Sequence, residues 1–207
     1  MENCKVIANK KKKGGVGKTT LTASLGIAIA ETGKKVVLVD ADIGLNNLDV
    51  VLAVENKVVY DVLDVISGKC RLKQALIQDV DNPTLYVLPS AKIQDSPLIT
   101  ACSFRNVVDA LALNFDFVII DCPAGIDNGF HRAVSAATEA IVVTTPHISA
   151  VRDADKVLSI LSGYCLMSVG LVVNRVRGDM VSKGEMMSAG DIVRAVRCEP
   201  VGVIPED

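Results

Sequence analysis

Residues 13–20 read KGGVGKTT, and this stretch decides the fold of the chain. A Gly-rich turn ending in Gly17-Lys18-Thr19 has the form of a phosphate-binding loop, because glycine lets backbone N–H groups approach phosphate oxygens closely. In such a loop the lysine reaches the β- and γ-phosphates, and the threonine hydroxyl binds Mg²⁺. The full pattern, G-x-x-x-x-G-K-S/T, has glycine where this chain has Lys12. The motif therefore predicts nucleotide binding, with one departure from the consensus.

The residues after the turn support this interpretation, because their pattern is helical. A helix is predicted over 18–32, with apolar residues at helical spacing and Gly33 where a C-terminal cap belongs. Those apolar residues are Leu21, Leu25, Ala28 and Ile29. A Gly-rich turn by itself is a common structural object. The same turn at the start of an amphipathic helix is the context that phosphate binding requires.

Along the rest of the chain, apolar runs of strand length alternate with helical stretches. The runs are rich in Val and Ile without polar alternation, as in strands that are buried on both faces. Strands are predicted at 4–8, 35–40, 84–89, 115–122, 139–145, 168–176 and 200–204. Further helices are predicted at 58–66, 72–77, 104–113, 128–137, 150–163 and 188–197, with an exposed loop at 177–188. We therefore predict an α/β fold: a doubly wound, mostly parallel sheet with helices on both faces and ligands at the carboxyl ends of the strands.

Composition fits a single domain over 1–207. The 207 residues are 50% hydrophobic and 3% aromatic, and a net charge of −2 gives no overall basic field for nucleic acid. The six cysteines are scattered without a C-x-x-C pair, which favours free thiols in a reducing cytosol over zinc. No apolar run approaches the ~18 residues of a membrane-spanning helix. Because Asp207 follows the last predicted strand so closely, we expect either a domain that is incomplete at its C-terminus or a poorly covered last strand.

Three carboxylates follow predicted strands, at the sheet edge where bound phosphates should lie. Asp40 and Asp42 occur in VVLVDADIGLNNLD, and Asp121 occurs in FDFVIIDCPAGID. Acids after strands also form turns and helix caps, which is the alternative for each of them alone. Beside a phosphate loop, one acid of the first pair can hold Mg²⁺ through water while the other orients the attacking water. We therefore predict Thr19, Asp40 and Asp121 as the metal-binding residues.

With Lys13 ahead of the glycines, KGGVGKTT resembles the deviant phosphate loop, or deviant Walker A motif, of the MinD/ParA-type ATPases. VVYDVLDVISG followed by QALI is similar to the MinD branch and separates the chain from plasmid-partition relatives. The similarity continues in order through LYVLPSA, DCPAGID, VRDADKVLSIL and VVNRV to VGVIPED. This resemblance implies a P-loop NTPase fold of the SIMIBI type and an ATPase that helps to position the bacterial division site, with ATP and Mg²⁺ as cofactors.

The resemblance also implies roles for single residues. Lys13 would reach across an ATP-sandwiched dimer, Lys18 would contact the phosphates, and Asp42 would position the hydrolytic water. These three are the candidate catalytic residues. The residues that match nucleotide contacts are Gly14, Gly15, Val16, Gly17, Lys18, Thr19 and Thr20 at the phosphates, and Asn174, Pro205 and Glu206 at the adenine.

Partner contacts are implied in the same way. Asn47 would lie at a dimer-facing switch, and Arg152 and Asp153 at a partner-binding surface. A cap or a surface charge is the alternative for Asn174 and for Arg152. The resemblance implies an ATP-dependent homodimer, partners similar to MinC and MinE, and no nucleic acid. It implies a cytoplasmic protein that binds the inner face of the cell membrane through a C-terminal amphipathic tail, which a chain ending at Asp207 does not include.

The lysines that precede the loop leave other interpretations open. Asn9 and Lys10 are poor residues for a buried central strand, and a side chain where the backbone needs glycine costs on the order of 1–2 kcal/mol. A nucleotide-binding scaffold with impaired hydrolysis is therefore one alternative, and a relative that acts in DNA partition or flagellar number is another. The basic run would also suit stronger anion binding, and a local sequence error or a decayed gene would produce it as well.

Overall fold

A computed structural model describes residues 5–10 as backbone, and residues 16–44, 47–91 and 96–206. The predictions for Lys12, Lys13, Gly14 and Gly15 therefore lie outside the described residues. Within them, eight strands form one sheet. The strands are β1 (Lys5–Lys10), β2 (Val36–Asp40), β3 (Ile77–Gln78), β4 (Leu85–Leu88), β5 (Phe117–Asp121), β6 (Glu139–Thr144), β7 (Ser168–Val176) and β8 (Glu199–Pro205).

The helices of the described residues connect these strands, and a short 3-10 helix at Glu55–Lys57 accompanies them. The α-helices are α1 (Lys18–Glu31), α2 (Leu48–Val51), α3 (Val62–Ile66), α4 (Leu72–Ala75), α5 (Ala101–Ala112), α6 (Asn128–Ser135), α7 (Ile148–Leu161), α8 (Gly178–Ser182) and α9 (Ala189–Val196). None of these helices combines the length and the apolar character that crossing a bilayer requires.

The strand order is β3-β4-β2-β5-β1-β6-β7-β8, and only β3 runs antiparallel to its neighbour. The first strand is central, with β5 on one side and β6 on the other. It continues beyond the predicted end at residue 8, because Asn9 pairs with Asp121 and Lys10 pairs with Val142. Strand pairing uses backbone groups, so the polar residues Asn9 and Lys10 belong to the central strand despite their low β-propensity.

Helices cover both faces of the sheet, which confirms the predicted doubly wound architecture. Val37 and Val39 of β2 point into one core, which also contains Phe104 of α5. Val36 and Leu38 point to the opposite face and into a second core beneath α1. Because successive residues of a strand face opposite sides, burial on both faces explains the uninterrupted apolar run.

The buried stripe of α1 consists of small residues. The helix itself is confirmed, and Gly33 after its end has a φ of +82°. Its buried residues are Thr22, Ala23, Gly26 and Ala30, whereas Ala28 of the predicted apolar set is exposed. A Cβ atom at Gly26 would lie 2.6 Å from the side chain of Leu38. Small side chains therefore let this helix lie close against β2.

The structure corrects several local predictions. The predicted helix at 58–66 begins only at Val62, with Asp61 as its N-cap residue. The predicted helix at 72–77 ends at Ala75, and Ile77–Gln78 instead forms β3, paired with β4. The segment 177–188, predicted as a loop, contains the short helix α8, none of whose residues is buried. Both elements are too short to carry a recognisable periodic pattern. At the edge of the sheet, Val201 of β8 is 62% exposed and Val203 is 51% exposed.

Candidate functional site

The described part of the phosphate loop ends in a left-handed turn at Gly17. This residue has φ +83° and ψ +28° and stands at the N-cap of α1. A Cβ atom here would lie 2.8 Å from Nδ2 of Asn174. Only glycine adopts such a backbone without strain, and only glycine leaves room for the neighbouring amide. The turn therefore has the local structure that KGGVGKTT predicts, and it aims the first backbone N–H groups of α1 at the carboxyl edge of the sheet.

The side chains of Lys18 and Thr19 both contact the end of β5. Nζ of Lys18 donates a hydrogen bond to the carbonyl oxygen of Cys122 at 3.1 Å. The Thr19 hydroxyl donates to Oδ2 of Asp121 at 2.6 Å, and the Thr22 hydroxyl lies 3.5 Å from Oδ1 of the same carboxylate. The structure thus brings together the lysine, hydroxyl and carboxylate that a magnesium nucleotide site requires.

The carboxylate of Asp121 is almost fully buried, with 2% of the residue exposed. Burial raises the pKa of Asp121, while the hydrogen bond from Thr19 and the charge of Lys18 act in the opposite direction. A divalent cation at this position would favour the ionised carboxylate for the same reason as Lys18 does. Burial makes the carboxyl group of Asp121 difficult to ionise, and a cation bound here would stabilise its charged form.

Both carboxylate oxygens of Asp40 bind backbone N–H groups. Oδ1 accepts from the backbone N–H of Asp42 at 2.9 Å, and Oδ2 accepts from that of Leu48 at 3.2 Å. Only 1% of Asp40 is exposed, and burial, with a smaller contribution from the charge of Asp121, raises its pKa to about 7. These contacts fix the end of β2 to the start of α2, across the segment that contains Asp42. The geometry gives Asp40 a positioning role, in addition to the metal-binding role predicted from the sequence.

Asp42 lies beside a cavity of about 640 Å³ at the carboxyl edge of the sheet. Ala124, Asp127 and Arg132 line the same cavity. Burial raises the pKa of Asp42, and the positive charge of Lys18 opposes this effect. Neither oxygen of Asp42 has a described hydrogen bond that fixes it in a turn, in contrast to Asp40. A carboxylate that lines a cavity with room for water, near the positive charge of Lys18, has the chemistry that orienting a water molecule requires.

A second cavity of about 610 Å³ lies next to Gly17 and the first turn of α1. It brings together five of the residues predicted to contact the nucleotide, and Arg175 and Ile204 also line it. These five are Gly17, Thr20, Asn174, Pro205 and Glu206. The amide of Asn174 donates from Nδ2 to the carbonyl oxygen of Val16 at 2.7 Å. Asn174 therefore contacts the phosphate loop directly, a contact that the sequence does not predict.

The predicted partner-binding residues lie on other elements. Asn47 is exposed and precedes α2 as its N-cap residue. Arg152 is exposed and Asp153 is half-buried, and both lie in the second turn of α7, because this helix begins two residues earlier than predicted. Lys13, Gly14 and Gly15 lie outside the described residues, so their placement stays a prediction.

Sequence reasoning missed several residues that shape the site. Thr22 faces Asp121 from the buried side of α1, one turn beyond Lys18 and Thr19. Cys122 contributes its backbone carbonyl, which no side-chain motif can reveal. Asp127 caps α6 by accepting hydrogen bonds from the backbone N–H groups of Gly129 and Phe130. An aspartate before a helix is a recognised capping signal, so this last contact was accessible from the sequence.

The residues at the end of β5 fit magnesium in chemical terms. Mg²⁺ prefers a few protein oxygens together with water and substrate phosphates. Thr19 and Asp121 supply such oxygens, and among the described residues no cluster of three or more His, Cys, Asp or Glu offers a dedicated metal cage. The site therefore suits a cation that arrives with a phosphate ligand.

A strand, a glycine turn and a helix whose Lys18 and Thr19 contact the acidic end of a neighbouring strand define the P-loop nucleotide-binding proteins. Residues 4–163 match the AAA domain family. The chain is 50% identical to the putative septum site-determining protein MinD of Guillardia theta over 195 residues. These aligned residues make up 94% of this chain and 72% of the relative. The chain belongs to the MinD family of septum site-determining proteins.

Solved structures agree with this assignment. A MinC:MinD cell division protein complex of Aquifex aeolicus has a chain that is 42% identical to this one, with a TM-score of 0.89 over 99% of this chain and 82% of that chain. MinD of Pyrococcus horikoshii OT3, solved in complex with Mg-ADP, is 33% identical, with a TM-score of 0.85 over 99% of this chain and 82% of that chain. The predicted fold class and family are thereby confirmed.

Proposed function

We propose that this chain binds ATP with Mg²⁺, hydrolyses it slowly, and uses the bound nucleotide to control its assembly in division-site placement. The observation that carries the proposal is the hydrogen bond of 2.6 Å from Thr19 to the buried carboxylate of Asp121, next to Lys18. This is the arrangement by which P-loop proteins hold magnesium against a triphosphate. The relative that was solved with Mg-ADP supports the choice of ligand.

Bound ATP would supply the γ-phosphoryl group that is transferred to water. The residues of this chain contribute orientation and charge. Lys18 provides a fixed positive charge, Thr19 and Asp121 hold the cation, and Asp42 orients the water from the adjoining cavity. Asp40 keeps the segment that carries Asp42 in place through its two backbone contacts. The cavity lined by Asn174, Pro205 and Glu206 receives the base.

The useful product of such an enzyme is a change of assembly state. Lys13 resembles the residue that contacts the nucleotide of a second subunit, so ATP would join two copies and hydrolysis would separate them. The MinC:MinD complex of a 42% identical relative supports a MinC-like partner for this chain. Binding to a MinE-like protein and peripheral membrane binding at the inner face of the cell membrane follow only from the sequence resemblance.

Binding and turnover of ATP test the proposal directly. We expect the native chain to bind ATP in calorimetric titrations with Mg²⁺ and to release phosphate slowly in a steady-state assay. Lys18→Ala removes the charge that faces the phosphates and should abolish both signals. Lys156→Ala, which removes a lysine from the exposed side of α7, is the matched control and should abolish neither. Equal ATP affinity of the native and Lys18→Ala chains would overturn the proposal.

The second candidate function is a scaffold that binds nucleotide without hydrolysing it. The presence of Lys12, where the consensus loop has glycine, favours this candidate. A side chain at a position where the consensus has glycine costs on the order of 1–2 kcal/mol when the backbone is left-handed. We expect the double variant Lys11→Ser, Lys12→Gly to hydrolyse ATP faster than the native chain at the same ATP occupancy. Equal steady-state rates would remove the reason for this candidate.

A further inference from the structure

We propose that Asn174 is a positioning residue that holds the turn of the phosphate loop at Val16 and Gly17, so that it contributes to the affinity for every triphosphate, whatever the base. This inference rests on the proposed function, because it concerns the same nucleotide site. It gives Asn174 a second role, which is to hold this turn, in addition to contact with the base. The two roles predict different ligand selectivities and can be separated by experiment.

The first observation is the contact between Asn174 and Val16. Nδ2 of Asn174 donates to the carbonyl oxygen of Val16 at 2.7 Å, and Val16 is only 3% exposed. Oδ1 of the same amide accepts from the backbone N–H of Arg175 at 2.9 Å. One donor and one acceptor on opposite sides of the amide fix its orientation, so Nδ2 faces the loop. A buried carbonyl that loses its donor is unfavourable, and the loop would have to move to satisfy it.

The second observation is the irregular backbone that presents Asn174. Between the paired positions Val173↔Val203 and Val176↔Pro205, β7 has two residues where β8 has one. Arg175, the second residue of this bulge, has a φ of +59°, which is the left-handed region and is strained for an arginine. Bulges next to ligand sites redirect a side chain, and strain persists only where the surrounding structure holds it in place. Here the bulge directs the amide of Asn174 onto the phosphate loop.

The third observation is the close approach at Gly17. The position of a Cβ atom on Gly17 would lie 2.8 Å from Nδ2 of Asn174, so amide and turn are in direct contact. Gly17 precedes Lys18 and Thr19, whose side chains reach Asp121 and Cys122. The amide therefore supports the turn from the side of the base cavity, while the end of β5 supports it from the other side. A ligand that carries phosphates without a base depends on the same turn.

Three ligands separate the two roles: ATP, GTP and inorganic triphosphate, each titrated calorimetrically with Mg²⁺. We expect Asn174→Ala to weaken binding of inorganic triphosphate by about tenfold, equivalent to about 1.4 kcal/mol, and to weaken ATP and GTP at least as much. Asn174→Asp keeps the size of the side chain but cannot donate to Val16 when ionised, and it should weaken all three at least as much. Lys156→Ala, on the exposed side of α7 and outside this cavity, should leave triphosphate affinity unchanged.

Amide hydrogen exchange without any ligand provides an independent measurement. In the native chain the backbone N–H of Leu21, which donates to the carbonyl oxygen of Gly17 at 2.8 Å, should exchange slowly. Asn174→Ala should accelerate this exchange while distant helices such as α5 stay unaffected. A general loss of folding would accelerate exchange everywhere, so the local pattern distinguishes positioning from a structural defect. Unchanged exchange together with unchanged triphosphate affinity would overturn the inference.

The outcomes also distinguish this inference from the proposed function. If Asn174→Ala loses only the preference for ATP over GTP and keeps its triphosphate affinity, Asn174 contacts the base alone and the inference is wrong. The proposed function would then still stand. If the native chain binds neither ATP nor inorganic triphosphate, the proposed function is wrong and the inference falls with it.

Discussion

Thr19 connects the phosphate loop to the metal-binding acid through one hydroxyl group. Thr19→Ala removes the hydrogen bond of 2.6 Å to Asp121 and one candidate magnesium ligand, whereas Thr19→Ser keeps both. We expect Thr19→Ala to bind ATP at least tenfold more weakly in the presence of Mg²⁺, and Thr19→Ser to bind within a few fold of the native chain. Calorimetric titration with ATP, with and without Mg²⁺, measures both effects. If Thr19→Ala responds to Mg²⁺ as the native chain does, Thr19 is not a ligand.

Asp40 makes folding stability depend on pH. Its pKa is raised from 3.8 to about 7, mainly by burial, so the folded chain holds a proton between these values that the unfolded chain has lost. The free energy of unfolding should therefore fall as pH rises from about 4 to about 7, and change little from this source above that range. Asp40→Asn cannot ionise and should lack the part of the decline that comes from Asp40, whereas Asp42 and Asp121, whose pKa values burial also raises, contribute in both chains.

The comparison of the two chains isolates the contribution of Asp40. Relative to the native chain, Asp40→Asn should gain on the order of 3 kcal/mol in unfolding free energy between pH 4.5 and pH 7.5. Urea unfolding at a series of pH values measures the difference, and contributions that are common to both chains cancel in it. Parallel curves for the two chains would show that Asp40 is ionised throughout, as it would be if a bound cation compensated its burial.

At the level of elements, α1 depends on small residues for its approach to the sheet. A Cβ atom at Gly26 would lie 2.6 Å from the buried side chain of Leu38, so Gly26→Val forces the helix away from β2. We expect this variant to lower the free energy of unfolding by about 2 kcal/mol. Ala28→Val on the exposed side of the same helix changes only helix propensity and should cost about 0.5 kcal/mol. Denaturant unfolding measures both, and equal losses would show that packing against Leu38 is unimportant.

The elements that the sequence predicts well are those with long, periodic patterns. Buried strands such as β2 and amphipathic helices such as α7 were placed within two residues at each end. Short elements such as β3 and α8 were missed, because two to five residues carry no periodicity and tertiary contacts decide them. The buried side of α1 was missed for another reason. Its contact with the sheet is made by glycine and alanine, which hydrophobic patterns do not emphasise.

The candidate site shows the same division between motif and tertiary contact. The phosphate loop, Asp42 and Asp121 follow from local sequence, because their position after a strand already implies the sheet edge. The partners of Asp40 and the contact between Asn174 and Val16 do not, since they depend on chain segments that fold against each other. Sequence therefore predicts which groups come together at the sheet edge better than it predicts which groups hold them in place.

At the scale of the whole molecule, ATP should determine how many copies associate. Asp42→Ala should keep ATP bound while slowing hydrolysis by about 100-fold, which allows the ATP-bound state to accumulate. With ATP and Mg²⁺, we expect this variant to elute with twice the 21.9 kDa mass of one chain when measured by light scattering. Addition of Lys13→Ala should return it to the mass of one chain without loss of ATP binding. A dimer that persists in the double variant would show that Lys13 does not join the subunits.

The exposed face of β8 affects how such measurements must be made. This strand lies at the end of the sheet order, with the side chains of Val201 and Val203 largely in contact with solvent. Unpaired backbone groups at a strand edge, together with apolar side chains, favour non-specific strand-to-strand aggregation. Association through β8 would grow with protein concentration and ignore nucleotide. Light scattering over a dilution series, with and without ATP, therefore distinguishes a functional dimer from non-specific aggregation through β8.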